Sequence, residues 1–140
     1  MGFGEEDDIK EVQKLSKEVS NIHYHPAVHL SEITSYTSSA NVGICLSESS
    51  SLSYKYSLAN KFFEYLHSGL PVIVTNKLEY MSTIVNQNNL GWVTDINKLQ
   101  DTIENIKIKD CEVRKIKVST FAKGSVWEVD AKEYEKIYRH

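Results

Sequence analysis

Residues Asn60 to Asn76 read NKFFEYLHSGLPVIVTN. The stretch predicts a helix over Asn60 to His67, stopped at Gly69, a residue suited to the left-handed cap. Pro71 to Thr75 follows as a short apolar, β-branched run, which predicts a buried strand. Outward from this unit the same alternation continues. Val42 to Leu46 reads as a strand upstream. Downstream, Glu79 to Asn86 reads as helix, Gly91 to Thr94 as strand and Asn97 to Ile106 as helix, with Leu99, Ile103 and Ile106 on one face. Strands alternating with helices predict βαβ units and a parallel sheet flanked by helices. The strands are continuous apolar runs, as burial on both faces produces. Parallel crossovers are right-handed, so the expected class is α/β with a Rossmann-like sheet.

Nearer the ends the pattern is less complete. Ile9, Val12, Leu15 and Val19 recur at helical spacing, and Glu5 to Asp8 place negative charge where a helix start favours it. Ile22 to His25 reads as a short strand closed by Pro26, and Ser31 to Ser39 as a short helix. The Ser/Tyr-rich stretch Ser47 to Ser57 reads as one long loop. From Cys111 onward the chain reads as two helices broken near Gly124. Met1-Gly2-Phe3-Gly4 places a Gly-x-Gly turn directly before a helix, where a Rossmann unit makes its first turn. Such a turn follows a strand, of which at most Met1 is in the chain. The expectation is therefore a single domain over residues 1–140, lacking its first strand and left with an open seam.

Composition narrows the partners. A chain of 140 residues accommodates one domain of ordinary size. No apolar run approaches the roughly 20 residues that cross a bilayer. A net charge of −3 gives no electrostatic case for nucleic acid. Cys45 and Cys111 make neither a disulfide framework nor a four-ligand zinc site, so they read as reduced thiols in a cytoplasmic protein. His23 and His25 would share one strand face, but no carboxylate or cysteine at ligand spacing joins them, and no metal is expected.

The chemistry is expected around the central helix. Ser57 or Asn60 would cap it. The free amides of its first turn would make an anion site suited to a diphosphate, with Lys61 adding a point charge. Glu64, one turn further on, has the geometry to accept two hydrogen bonds from the vicinal hydroxyls of a ribose. Tyr54, Tyr56 and Tyr65 either stack on a base or pack the loop.

The run from Asn60 to Ile73 resembles the "NK-x-x-EY-x-x-x-G-x-PVI" segment of GT-B glycosyltransferases, in particular the retaining GT4-like group (glycosyl transferases group 1). Gly2-Phe3-Gly4, Asn21 to Val28, Ser39-Ala40-Asn41-Val42, Asn89 to Val93, and Val126-Trp127-Glu128 with Tyr134 and Tyr138 resemble its flanking motifs in the right order. The resemblance implies the C-terminal, donor-binding half of a bacterial enzyme of polysaccharide biosynthesis. Such an enzyme moves a sugar from a nucleotide sugar, such as a UDP- or GDP-sugar, to a glycan or other acceptor. Glu64 matches the second glutamate of an E-x7-E motif, the ribose ligand; Tyr56 stands where the first would be. Gly2 and Gly4 match the glycine turn, and His25 and Val28 fall in the region that contacts the base. No cofactor is implied. The acceptor would sit on an N-terminal domain, so this chain alone would bind without turnover. The full enzyme would be cytoplasmic, at most peripherally associated with the inner face of a membrane. A non-catalytic Rossmann-like binding module and a sugar-nucleotide epimerase of GT-B architecture remain as alternatives.

Overall fold

A computed structural model describes residues 5–47 and 51–124. The chain divides into two units, residues 1–33 and 34–140. Gly2 and Gly4 lie outside the described residues, as do Val126-Trp127-Glu128, Tyr134, Tyr138 and the second C-terminal helix.

The N-terminal unit is built on helix α1, Glu6–Glu18. Glu6, Asp7 and Asp8 occupy its first turn and Lys17 its last, so charge complements the helix dipole at both ends. Lys10 pairs with Glu6 one turn back, at 2.9 Å. The stretch Ile22 to His25 is not a strand, contrary to the sequence reading. A strand needs a ladder partner, and the described part of this unit supplies none. The chain instead folds back on α1, where the Tyr24 amide donates to the Ser16 hydroxyl at 3.0 Å. A 3-10 turn, Leu30–Glu32, follows; the amide of its Ser31 donates to His29 Nδ1. Helix α2, Ile33–Thr37, which from Thr34 on belongs to the larger unit, is shorter than the expected Ser31 to Ser39.

The larger unit contains strands β1 (Gly43–Cys45), β2 (Val72–Thr75) and β3 (Gly91–Thr94). They form a parallel sheet in the order β1-β2-β3, the expected α/β class. Its helices are α3 (Leu52–Tyr56), α4 (Asn60–His67), α5 (Glu79–Asn88), α6 (Leu99–Asn105) and α7 (Ile108–Gly124). β2 is buried along its whole length, which explains its run of β-branched residues. The register pairs Gly43 with Val72 and Cys45 with Val74, so these four residues share a face. That face packs against Phe62 and Leu66 of α4 and Met81 and Val85 of α5, the main core. α4 ends as expected, with Gly69 at φ +75° and the Leu70 amide donating back to the Tyr65 carbonyl. Asn89, also left-handed, ends α5 in the same way.

The stretch Ser47 to Ser57 departs from the expected continuous loop: α3 occupies half of it. Its start is capped by Ser51, whose hydroxyl accepts from the Tyr54 amide. Five residues carry too little periodicity to announce a helix. An ion pair from Lys55 to Glu79, 2.9 Å, ties α3 to the start of α5.

Candidate functional site at the start of the central helix

The carboxyl ends of β1 and β2 and the first turn of α4 lie together. β1 is held against α4 by a close contact: a Cβ on Gly43 would overlap the Tyr65 ring and its Cβ. Tyr65 therefore packs over a strand position that only glycine leaves open. Burial pushes its phenol up, with Cys45 adding to this and a hydrogen bond to the Ile44 backbone opposing it. Of the two roles open to Tyr65, the structure places it in packing.

This docking fixes the residues of the turn before it. Lys61 is exposed, and its charge reaches Cys45 at the end of β1. Burial pushes the Cys45 thiol up to about 11 despite that lysine, so the thiol stays neutral at physiological pH. Glu64 is half-buried on the turn after Lys61. Neither side chain makes an ion pair among the described residues.

The cap differs from both expectations. Ser57 ends α3, and its hydroxyl donates to the Tyr54 carbonyl at 3.2 Å. Asn60 is already the first helical residue, and the cap position falls to Ala59, which has no side chain to offer. The unforeseen α3 consumes Ser57, and this shifts the cap. The Phe62 amide turns back to the Ala59 carbonyl at 2.9 Å. The Asn60 and Lys61 amides meet no capping side chain, which leaves the helix start receptive to an anion.

Two clamps frame this site that sequence reasoning missed. The Thr75 hydroxyl donates to the Ser47 carbonyl at 2.8 Å and accepts from the Ser47 amide at 3.0 Å. It thereby ties the chain leaving β1 to the end of β2. A single polar residue closing an apolar strand run was the available signal. The second clamp is the Lys55–Glu79 pair; no spacing rule connects residues so far apart. Tyr54 and Tyr56 are exposed on α3, with the Lys55 ammonium 5.6 Å from the Tyr56 ring centre.

Ser57, Asn60, Lys61 and Glu64 are thus brought into one short segment. His25 and Val28 belong to the N-terminal unit, where His25 is exposed with Nδ1 2.8 Å from the Pro26 carbonyl and Val28 is half-buried. His25 does not stand at a strand end, because that strand is absent. A separate cavity of about 560 Å³ opens at the carboxyl end of β3, lined by Trp92, Thr94, Asp95 and Asp101 among others. Several of its polar groups are engaged internally. Asp95 accepts from the Asn97 amide and from the Asn76 side chain, which hold its carboxyl below the usual range. Thr94 and Thr102 join hydroxyls at 2.8 Å.

A three-stranded parallel sheet flanked by helices defines an α/β, Rossmann-like domain. The chain belongs to the family described as glucosyltransferase 3-like, C-terminal domain, whose model matches residues 5–125. It is a glycosyltransferase C-terminal domain. No curated protein and no solved structure matches it.

Proposed function

We propose that this chain is the donor-binding part of a retaining GT-B glycosyltransferase, holding a nucleotide diphosphate sugar at the start of α4. The observation that carries the reading is the uncapped first turn, with Lys61 exposed beside it and Glu64 one turn on. The Asn60 and Lys61 amides would donate to the diphosphate oxygens, and the Lys61 ammonium would add a point charge. Glu64 would accept from both ribose hydroxyls and so set the position of the diphosphate. Transfer passes through an oxocarbenium-like state while negative charge grows on the departing diphosphate. Oriented amides stabilise that charge without reorganising. The acceptor would be supplied by another domain.

The test separates the two halves of the ligand. Uridine diphosphate and guanosine diphosphate are titrated by calorimetry and thermal shift, with pyrophosphate as the base-free probe. A true donor site is stabilised by about 2.7 kcal/mol at a hundredfold excess over Kd. Lys61→Gln should weaken nucleotide and pyrophosphate alike. Glu64→Gln should weaken the nucleotide roughly tenfold and leave pyrophosphate unchanged. Equal nucleotide affinity in Glu64→Gln and the wild type would remove the ribose assignment. No stabilisation by either nucleotide would favour the non-catalytic module.

A further inference from the structure

Helix α7 has two unlike faces. The inner one is anchored: Cys111 and Val118 are buried, Arg114 Nε donates to the Gly91 carbonyl at 3.2 Å, and Lys115 reaches the Ala40 carbonyl. The Arg114 guanidinium also lies 4.4 Å from the Trp92 ring centre. The outer face carries Lys109, Val113, Ile116, Thr120 and Lys123, which recur at alternating steps of four and three and so line one side. Lys117 lies beside them. Val113 is 51% exposed and Ile116 69%. At the start of the helix Ile108 is 77% exposed, with Lys107 beside it. Lys107, Lys109, Lys117 and Lys123 make no ion pair among the described residues. Only Asp110 and Glu112 oppose them on this helix.

We propose that the outer face of α7 docks on an anionic phospholipid surface. The charge is concentrated against the trend of the chain: the whole carries −3, whereas this helix is strongly basic. Two aliphatic side chains lie between lysines whose long stems can extend to the phosphates while Val113 and Ile116 enter the headgroup boundary. The outer face has no Trp, Tyr or Arg of the kind that anchors a protein interface. With so little apolar surface the binding is electrostatic first, weak, and sensitive to salt. This inference does not rest on the donor-site proposal.

The 140-residue chain is sedimented with phosphatidylcholine vesicles, with and without about one-third phosphatidylglycerol. Binding is expected only to the anionic vesicles, and is abolished by about 0.5 M salt. Replacing Lys109, Lys117 and Lys123 together by Gln should lower the partition coefficient roughly a hundredfold, at about fivefold per lysine. Val113→Ser with Ile116→Ser should lower it severalfold and keep the salt dependence. All five positions are exposed, so the thermal melt should not move; Lys10→Gln with Lys14→Gln on α1 should bind as wild type. Equal binding to neutral vesicles, or full binding by the triple variant, overturns the proposal. So does lysine-dependent capture by polyglutamate with no vesicle binding, which would assign the face to an acidic protein.

Discussion

Helices α1 and α4 both present apolar residues at helical spacing, yet they fare differently. α1 has thirteen residues and buries none of its side chains; α4 has eight and buries Phe62 and Leu66. The difference lies in what each element is given to pack on. α4 faces a strand pair whose glycine leaves room for Tyr65 and whose valines complete the core. α1 belongs to a unit in which the chain ties back to the helix locally, from Tyr24 to Ser16 eight residues away. In the larger unit, by contrast, Thr75 ties to Ser47 across 28 residues and Arg114 to Gly91 across 23. Periodicity announces that a helix has an apolar side; it does not announce a cover for it.

The comparison breaks first at Phe62. Phe62→Ala removes a ring with no exposed surface and should cost about 3–5 kcal/mol in urea unfolding. Leu15→Ala on α1, at a residue 38% exposed, should cost less than about 1 kcal/mol. Equal costs would mean that the α1 stripe is covered as fully as the core.

That same contrast sets how much was legible in the sequence. Between Val42 and Ile106 the three strands and helices α4 and α5 match the sequence reading, because short apolar runs and helical stripes there coincide with real burial; α3 has no such signal, and α6 follows its stripe without burying it. The stop at Gly69 was readable from residue type alone. Ile22 to His25 failed because strand propensity is only a half-condition; the ladder partner is the other half. In the candidate site, Lys61 and Glu64 kept their expected places on the helix. Ser57 and Asn60 lost their capping role because α3 depends on a local cap at Ser51 and a distant ion pair at Glu79. Hydrogen bonds such as Thr75 to Ser47 depend on the finished sheet, and no local pattern carries them.

A second comparison uses pH, because both cysteines lie in the larger unit. Burial raises the Cys45 thiol from 9.0 to about 11 in the folded state. The folded state therefore holds its proton in a range where the unfolded state has released it. Below pH 9 the contribution is complete, and it is lost as pH rises toward 11. The loss should be about 3 kcal/mol. Urea midpoints measured across that range should fall in the wild type and fall less steeply in Cys45→Ala, where the Tyr65 phenol and the Cys111 thiol, both also raised by burial, still contribute. The slopes, rather than the absolute values, are compared, because the smaller side chain also leaves a void. An unchanged slope would show that the end of β1 is open to water.

The smallest effect is the one closest to the site. A methyl at Gly43 would overlap the Cβ, Cγ and Cδ2 of Tyr65. Rotation about χ1 can carry Cγ and Cδ2 away, but Cβ is fixed to the backbone at 2.9 Å, so clearing it requires α4 itself to shift. Gly43→Ala should cost about 2 kcal/mol. If the clash is with Tyr65 and not with the strand, the same change made in a Tyr65→Ala background should cost less than half as much, a coupling of about 1 kcal/mol. The shift of α4 would also displace Lys61 and Glu64 from the end of β1. Under the proposed donor reading, Gly43→Ala should then weaken nucleotide binding by more than its stability cost alone predicts. Additive stability costs in the double-mutant cycle would separate α4 from β1, and the contrast with α1 would lose its structural basis.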